Sequence, residues 1–458
     1  MSDAMTTAVP TPQEPDGAPR LPVIDILRGI AILGILFMNI NDMGASLYRS
    51  QSGEPWDLGW SGADQIAWWL RQVLADGTAR AMLEMLFGVG MVILTDRAAT
   101  AMSKWQVMRA YQVRNVVLFL FGLVHVFILL WPGDILHTYG LAALLAVLFR
   151  RWRPRWLLVA GLAGAMLQLT IGGFFTIQSI DRRAAAAQVE SKQRAGQAIT
   201  AADRKTLADR RRRLAERDKG RAETAAKVAA EDQWRTAGTA TVRTWIWAAW
   251  EPFIWLQKQF LEVLFVWEAL GTMLIGAALF KLGIIQGARS RRFYAGMTVA
   301  AYAVGLSCRA WTAYVMTHYA HQPSLAYPTG EVARLATTLG HIGLVNLLIA
   351  TGVGARLLRP FEAAGKTALS IYIGHTLVCL WVLYPPWGLA LYGKQGWAAL
   401  MLTAVAVDAA LLIGANWWVR NYRIAPVEWA WRSIIARRAL PFRLRERVGQ
   451  GGGVAVPA

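Results

Sequence analysis

The sequence predicts an all-α fold: a polytopic transmembrane helical bundle of about ten membrane helices, with both termini in the cytoplasm. Three observations predict it. The chain is 55% hydrophobic over 458 residues and its mean hydropathy is +0.33, too apolar for a soluble protein whose surface must be polar. Its apolar residues gather into runs long enough to cross a hydrocarbon layer of about 30 Å at about 1.5 Å per residue. The 22 tryptophans cluster near the ends of those runs, where interfacial belts place them.

The runs follow in order. The first spans Val23 to Ile40, and the second Thr78 to Thr95, around Met85-Leu-Phe-Gly-Val-Gly90. The third spans Val113 to Leu130, the fourth Asp134 to Phe149 and the fifth Arg155 to Phe175. After a charged interruption come Phe260 to Leu282, Phe293 to Met316, Val332 to Ala355, Lys366 to Leu383 and Trp397 to Val419. The chain thereby divides into a tail at 1–20, a five-helix membrane half at 21–180, an insertion at 181–243, a second five-helix half at 244–432 and a basic tail at 433–458. The first tail is rich in Pro, Asp, Glu and Thr and is expected to be disordered. It lacks the basic start of a secretory signal.

Cations set the orientation. Arg97, Lys104, Arg109 and Arg114, then Arg150, Arg151, Arg153 and Arg155, then Lys281, Arg289, Arg291 and Arg292, then Arg356, Arg359 and Lys366, all fall on one side under this count. Glu54, Asp57, Asp64, Asp76, Asp134 and Glu331 fall on the other. The positive side is the cytoplasmic one. This accounts for a formal net charge of +19 without nucleic acid, for which no binding motif is present. The insertion, with Arg210-Arg-Arg-Arg213, reads as an exposed, solvated helix outside the membrane. The Trp-rich stretch from Thr244 to Trp255 reads as an amphipathic helix lying on the membrane surface. Cys308 and Cys379 both lie in apolar runs and read as packing residues.

No phosphate-binding loop, dinucleotide fingerprint or zinc-protease motif is present. His318 and His321 lack an acidic or cysteine partner nearby, so no metal site is expected. What stands out is charge where a membrane helix should be apolar. A charge at a helix centre costs roughly 2.5–3.5 kcal/mol, so it pairs or marks a site. Asp25 and Arg28 stand three residues apart and share a face; Asn39, about three turns on, returns near it. Glu84, His125, Arg309, His341 and His375 lie inside other runs, and Asp134 and His137 open the fourth. Glu268, His341 and His375 fall near the middle of theirs, which suggests one shared cavity. Tyr372 shares a face with His375. Against each stands the commoner role of a membrane histidine, a hydrogen bond between helices.

These pieces resemble the bacterial YeiB-like family, which carries a domain of unknown function numbered 418. The matching segments are Ile24 to Asn39, Met85 to Gly90, Gly122-Leu-Val-His125, Gly133-Asp-Ile-Leu136 with Tyr139, Gly365 to Tyr372 and Ala425-Pro-Val-Glu-Trp-Ala-Trp-Arg432. The chain departs where the family usually has Gln-Ser and it has His375-Thr376, and where the family has Gly-Pro-Leu-Glu-Trp and it has Ala425-Pro-Val-Glu-Trp429. The opening motif is similar to that of the wider transmembrane acyltransferases. That resemblance implies a bacterial cytoplasmic membrane protein moving an acyl group from a cytoplasmic acyl-CoA donor to a lipid, glycan or small-molecule acceptor. No histidine follows Asn39 closely, unlike in the best-understood of those relatives.

On this reading His125 or His375 is the general base. Arg28 with Asp25 orients donor or acceptor, Asn39 and Tyr372 donate to the oxyanion, and Asp134, His137 and Tyr139 receive the acceptor. The alternative is a transporter or exporter in which Glu268, His341 and His375 hold substrate or relay protons. The bilayer is the expected partner, no bound cofactor is expected, and a homo-oligomer is left open.

Overall fold

The computed structural model describes residues 21–52, 54–236, 238, 240–319 and 322–443. The expected disorder of residues 1–20, most of the basic tail and His321 lie outside the described residues. Among the described residues the fold is helical throughout; the one non-helical pairing is an isolated bridge between Tyr422 and Arg443.

Helix α1 (Pro22–Gly44) begins with proline at its first turn, where the missing N–H is no loss, and buries most of one side in the bundle. A short α2 (Leu47–Ser52) follows. Helix α3 (Gly62–Leu70) opens with a capping box between Ser61 and Asp64. It passes through a π-helical segment, Arg71–Ala75, and a left-handed Gly77 (φ 73°) into α4 (Thr78–Ala98). This break frees backbone carbonyls at membrane depth, where each needs a partner. Arg309 donates to the carbonyls of Val73 (2.7 Å) and Gln72, and His341 Nε2 donates to that of Leu74 (3.0 Å).

Helices α5 (Lys104–Phe127) and α6 (Leu136–Ala146) form a hairpin, and α7 (Pro154–Arg194) runs on far past a membrane's thickness. Its 41 residues span about 60 Å. Helix α8 (Ala201–Thr236) runs back alongside it, and α9 (Val242–Lys258) leads into α10 (Leu261–Lys281). The insertion is exposed along much of its length, but its return end is docked. Buried Glu231 accepts from Ser46 Oγ (2.7 Å) and from Arg235 (3.0 Å), and Arg235 lies over the Trp245 ring (4.5 Å). The reading of a wholly solvated helix is corrected there: the last turns of α8 carry aromatic and ionic partners that bind it to the bundle.

Helices α11 (Arg291–His318) and α12 (Gly330–Ile349) pair, and α13 (Gly352–Lys366) packs along α1. Helix α14 (Ala368–Val378) leaves α13 at 80° and ends in a π-helical turn, Cys379–Leu383. Helices α15 (Trp397–Asn421) and α16 (Pro426–Ala436) close the chain. Glu428 of α16 caps α14, accepting from the Leu369 (2.7 Å) and Ser370 (3.2 Å) amides. That gives the Pro-Val-Glu-Trp segment its structural purpose, an anion at a helix N-terminus.

Two close crossings explain small-residue positions. A side chain at Gly29 would strike the Phe361 carbonyl, and one at Gly365 that of Asp25; Gly88 and Gly276 meet the Met273 and Met85 carbonyls in the same way. Gly90 faces nothing within 4 Å, so of that motif only Gly88 is a packing glycine.

Each of the ten apolar runs coincides with a helix, but the count of spans is lower. Seven helical stretches are long and apolar enough to cross a membrane, or eight if α13 and α14 count as one bent span. Helix α6 with its trailing turn reaches only Phe149, about 21 Å from its start, and α11 is long but not among the seven. The run ending at Ala355 had also absorbed the start of α13, whose cations disguised a helix as a loop.

Candidate functional site

The densest polar arrangement lies where the α5–α6 hairpin meets α14. Gly122 lets it form: a Cβ there would sit 2.7 Å from Asp134 Oδ2 and collide with the His137 amide. With α5 and the following loop pressed together, His125 Nδ1 lies 2.7 Å from Asp134 Oδ1, and His125 Nε2 lies 2.7 Å from Thr376 Oγ1. All three residues are buried. The carboxylate can only accept, so His125 carries its proton on Nδ1 and Nε2 accepts from the threonine hydroxyl. Burial pushes the Asp134 carboxyl up, but hydrogen bonds from His125 and His137 outweigh it and hold the group well below the usual carboxylate range.

The chain of contacts continues. Asp134 Oδ2 accepts from the His137 amide (2.9 Å) and faces His137 Nδ1 (2.8 Å); His137 Nε2 lies 3.2 Å from Glu262 Oε2. Thr138 donates to Glu262 Oε1 (2.8 Å). A ring with a carboxylate oxygen against each nitrogen carries a proton on both. Tyr372 stands edge-on to His125, ring centres 4.9 Å apart, and its hydroxyl accepts from the Ile135 amide (3.0 Å). Over the far side lies α9, whose Phe253 packs against His137 and Phe127.

A second cluster adjoins it. Arg334 reaches Glu84 (3.2 Å), Glu268 (2.8 Å) and Glu331 (2.7 Å), and Arg80 pairs with Glu268 and Glu84. Tyr139, two residues after His137 on α6, donates to the Arg80 main-chain carbonyl (3.2 Å).

The remaining expected residues lie apart. Asp25 and Arg28 pair at 2.8 Å at the start of α1, where Arg28 also meets the Gly365 carbonyl (3.4 Å). Asn39 is half-buried further along α1. His341 is held between Tyr302 Oη (2.7 Å) and the Leu74 carbonyl, and His375 Nε2 faces Asp408 (2.8 Å). Among the described residues Glu268, His341 and His375 share no hydrogen-bond partner. Among the described residues no cluster of three or more His, Cys, Asp or Glu is placed to hold a metal.

Sequence reasoning missed Thr376, Glu262, Arg80, Arg334 and Asp408. Asp408, a lone carboxylate inside an apolar run, carries the same signal as the residues that were singled out. Arg80 and Arg334 stand at the starts of runs and read as edge charges. A threonine in a membrane helix carries no signal of its own.

Residues 279–438 match the family model described as "Protein of unknown function (DUF418)". The chain is 28% identical to the uncharacterised protein YxaH of Bacillus subtilis over 90% of this chain and 94% of that one. It is 25% identical to the uncharacterised protein YeiB of Escherichia coli over 91% of this chain and 97% of that one. No solved structure matches. The matched segment contains Tyr372, Thr376 and Arg334, while His125 and Asp134 come from the part that only the full-length relatives cover. With a family match over residues 279–438 and relatives aligned along nine-tenths of its length, this multi-helix membrane protein is similar to the YeiB-like DUF418 proteins.

Proposed function

We propose that the protein is a membrane acyltransferase in which His125, oriented by Asp134, takes the proton from a hydroxyl group. One observation carries the reading: Thr376 Oγ1, the His125 ring and the Asp134 carboxylate stand in series at 2.7 Å and 2.7 Å. A hydroxyl, a base and a group that orients the base is the arrangement that activates a weak nucleophile. Burial keeps water from competing for the acyl group.

The chemistry runs in two balanced halves. Thr376 Oγ1 attacks the thioester carbonyl of an acyl-CoA; the C–O bond forms, the C–S bond breaks, and His125 passes the hydroxyl proton to the departing thiolate. An acceptor hydroxyl on a lipid, glycan or small molecule then attacks the acyl-threonine, and its proton returns through His125 to Thr376. Tyr372, beside the imidazole, is placed to steady the developing oxyanion. His137 and Glu262 line the approach of the acceptor, and the Asp25–Arg28 pair seats the donor. His375 has no step in this sequence.

The test is mass spectrometry of envelope lipids and glycans from a deletion strain carrying wild type, His125→Ala, Thr376→Ala or Thr376→Ser. An acyl group present with wild type and Thr376→Ser, and reduced about 100- to 10,000-fold with the two alanine variants, supports the reading. Full restoration by His125→Ala overturns it.

A transporter is the second reading, and one observation favours it. Each half of the chain contains an interrupted helix, at Arg71–Gly77 and at Lys366–Ala368, and broken helices frame many transport sites. An unchanged envelope together with altered uptake or efflux in the deletion strain selects it.

A further inference from the structure

The pair formed by His375 and Asp408 stands outside the relay, and its chemistry is incomplete in a specific way. Asp408 is the twelfth residue of the 25-residue α15, midway along an apolar span. Its Oδ1 lies 2.8 Å from His375 Nε2. Both residues are buried, yet His375 Nδ1 and Asp408 Oδ2 have no hydrogen-bond partner among the described residues.

The protonation states can be enumerated. A neutral imidazole donating to a carboxylate leaves the pair with net charge −1 and two unfilled acceptors. One additional proton, on the imidazole or on the carboxyl, makes the pair neutral and turns Nδ1 into a donor. In an apolar interior the charged alternative is the costly one.

The surroundings do not compensate that charge. On α14 and its π-helical turn, the titratable neighbours are Tyr372, His125 (across Thr376) and Cys379, one turn from His375. On α15 the next charged residue is Arg420, three turns away. On α1 the charges are the Asp25–Arg28 pair at its start and Asp42 near its end, whose side chain accepts from Asn41. On α13, Lys366 is paired with Glu362 (2.6 Å), and Glu428 of α16 is engaged by the α14 amides. No Lys or Arg side chain pairs with Asp408 among the described residues. Other carboxylates differ: the buried Glu84 and the half-buried Glu268 each meet two guanidinium groups, and the buried Asp134 meets two imidazoles and an amide. A metal cation draws on oxygens from several groups, and this pair offers a single carboxylate.

We propose that His375 and Asp408 form a proton-binding site inside the membrane, whose ligand is a single exchangeable proton shared by the pair. Loaded, the pair is neutral and α14 and α15 pack as they stand. Unloaded, it carries a charge that the α14–α15 contact must accommodate by opening or admitting water. The site does not depend on acyl transfer and would serve a transporter equally.

The experiment uses the full chain in lipid nanodiscs with ¹⁵N-histidine, titrated from about pH 5 to about pH 9, a window that brackets the ordinary histidine value. There are 6 histidines; His375 is the resonance lost in His375→Gln. Infrared difference spectra report the Asp408 carboxyl through the band removed by Asp408→Asn. The expected result is that the pair keeps its extra proton at pH 7, seen as an imidazolium at His375 or a carboxylic-acid band at Asp408. In Asp408→Asn, His375 should give up its proton at least one pH unit lower than in wild type. A neutral His375 with an ionised Asp408 at pH 7, or an unchanged titration in Asp408→Asn, overturns the proposal. Displacement of the proton by sodium at fixed pH also overturns it, in favour of a metal-cation site. An unaltered His125 resonance in both variants shows that they remain folded.

Discussion

Two histidine–carboxylate pairs meet helix α14 at neighbouring residues, Thr376 and His375, and are finished to different degrees. Thr376 hands α14 to the His125–Asp134 relay, where both imidazole nitrogens and both carboxylate oxygens are engaged. His375, one residue earlier, meets Asp408 through a single contact and leaves one atom unpaired on each partner. A fully satisfied buried network fixes one arrangement; a half-satisfied one is either an expense or a site. Beside the relay stands the Arg80–Arg334 cluster, with Tyr139 of α6 donating to the Arg80 main-chain carbonyl, whereas among the described residues the Asp408 pair meets no guanidinium.

The largest effect should come from breaking the compensated side. Arg334→Met removes the cation shared by Glu84, Glu268 and Glu331 and leaves the buried Glu84 and half-buried Glu268 with Arg80 alone of their two guanidinium partners. Breaking a buried pair by removing one member costs about 3–5 kcal/mol. Denaturant unfolding in detergent micelles should show that loss; a change under about 1 kcal/mol would mean the cluster is wet and that full compensation is not what distinguishes it from the pair.

Next comes the relay itself. Thr376→Val keeps the shape but leaves His125 Nε2 buried without a donor, a loss of about 1–3 kcal/mol. Thr376→Ser should recover most of it. Equal stability of the valine and serine variants would show that the hydroxyl contact holds nothing together, and would leave its 2.7 Å approach to catalysis alone.

The unfinished pair should respond in the opposite sense. Replacing both partners together, His375→Phe with Asp408→Leu, removes two unpaired atoms along with the pair, and such exchanges are often neutral or stabilising. Stability within about 1 kcal/mol of wild type is expected. A loss like that of Arg334→Met would place the pair in the same class as the cluster and end the contrast.

The sequence exposed this contrast only in part. Helix positions were legible because lipid demands long apolar runs, and His125, Asp134 and His137 were legible because charge in such runs is rare. What joined them was not. Gly122 matters through the His137 amide it touches, Thr376 through a histidine 251 positions away. Such meetings are set by helix packing, which one chain's hydropathy does not encode. Depth alone likewise groups Glu268, His341 and His375, whose partners differ, because equal depth does not mean a shared face. His341 and Arg309 were read as site candidates, but they serve the carbonyls freed by the Arg71–Ala75 π segment, a break that no residue pattern marked apart from Gly77.

The smallest expected effect is an absence of change, and it sharpens the comparison most. Asp134 is held below its ordinary value of 3.8 because burial, which pushes it up, is outweighed by the hydrogen bonds from the two histidines. A carboxylate with a lowered folded value contributes stability that is fully present above the unfolded value and is lost only as pH falls through the folded one. Amide exchange at His137, whose N–H is bound to Asp134 Oδ2, should therefore keep its protection from about pH 7 down to about pH 4, once the intrinsic pH dependence of exchange is removed. Protection at the α14–α15 contact should instead weaken wherever the proposed shared proton leaves the His375–Asp408 pair. Loss of His137 protection above about pH 5 would mean that Asp134 takes up a proton easily, and the finished pair would then be as labile as the unfinished one.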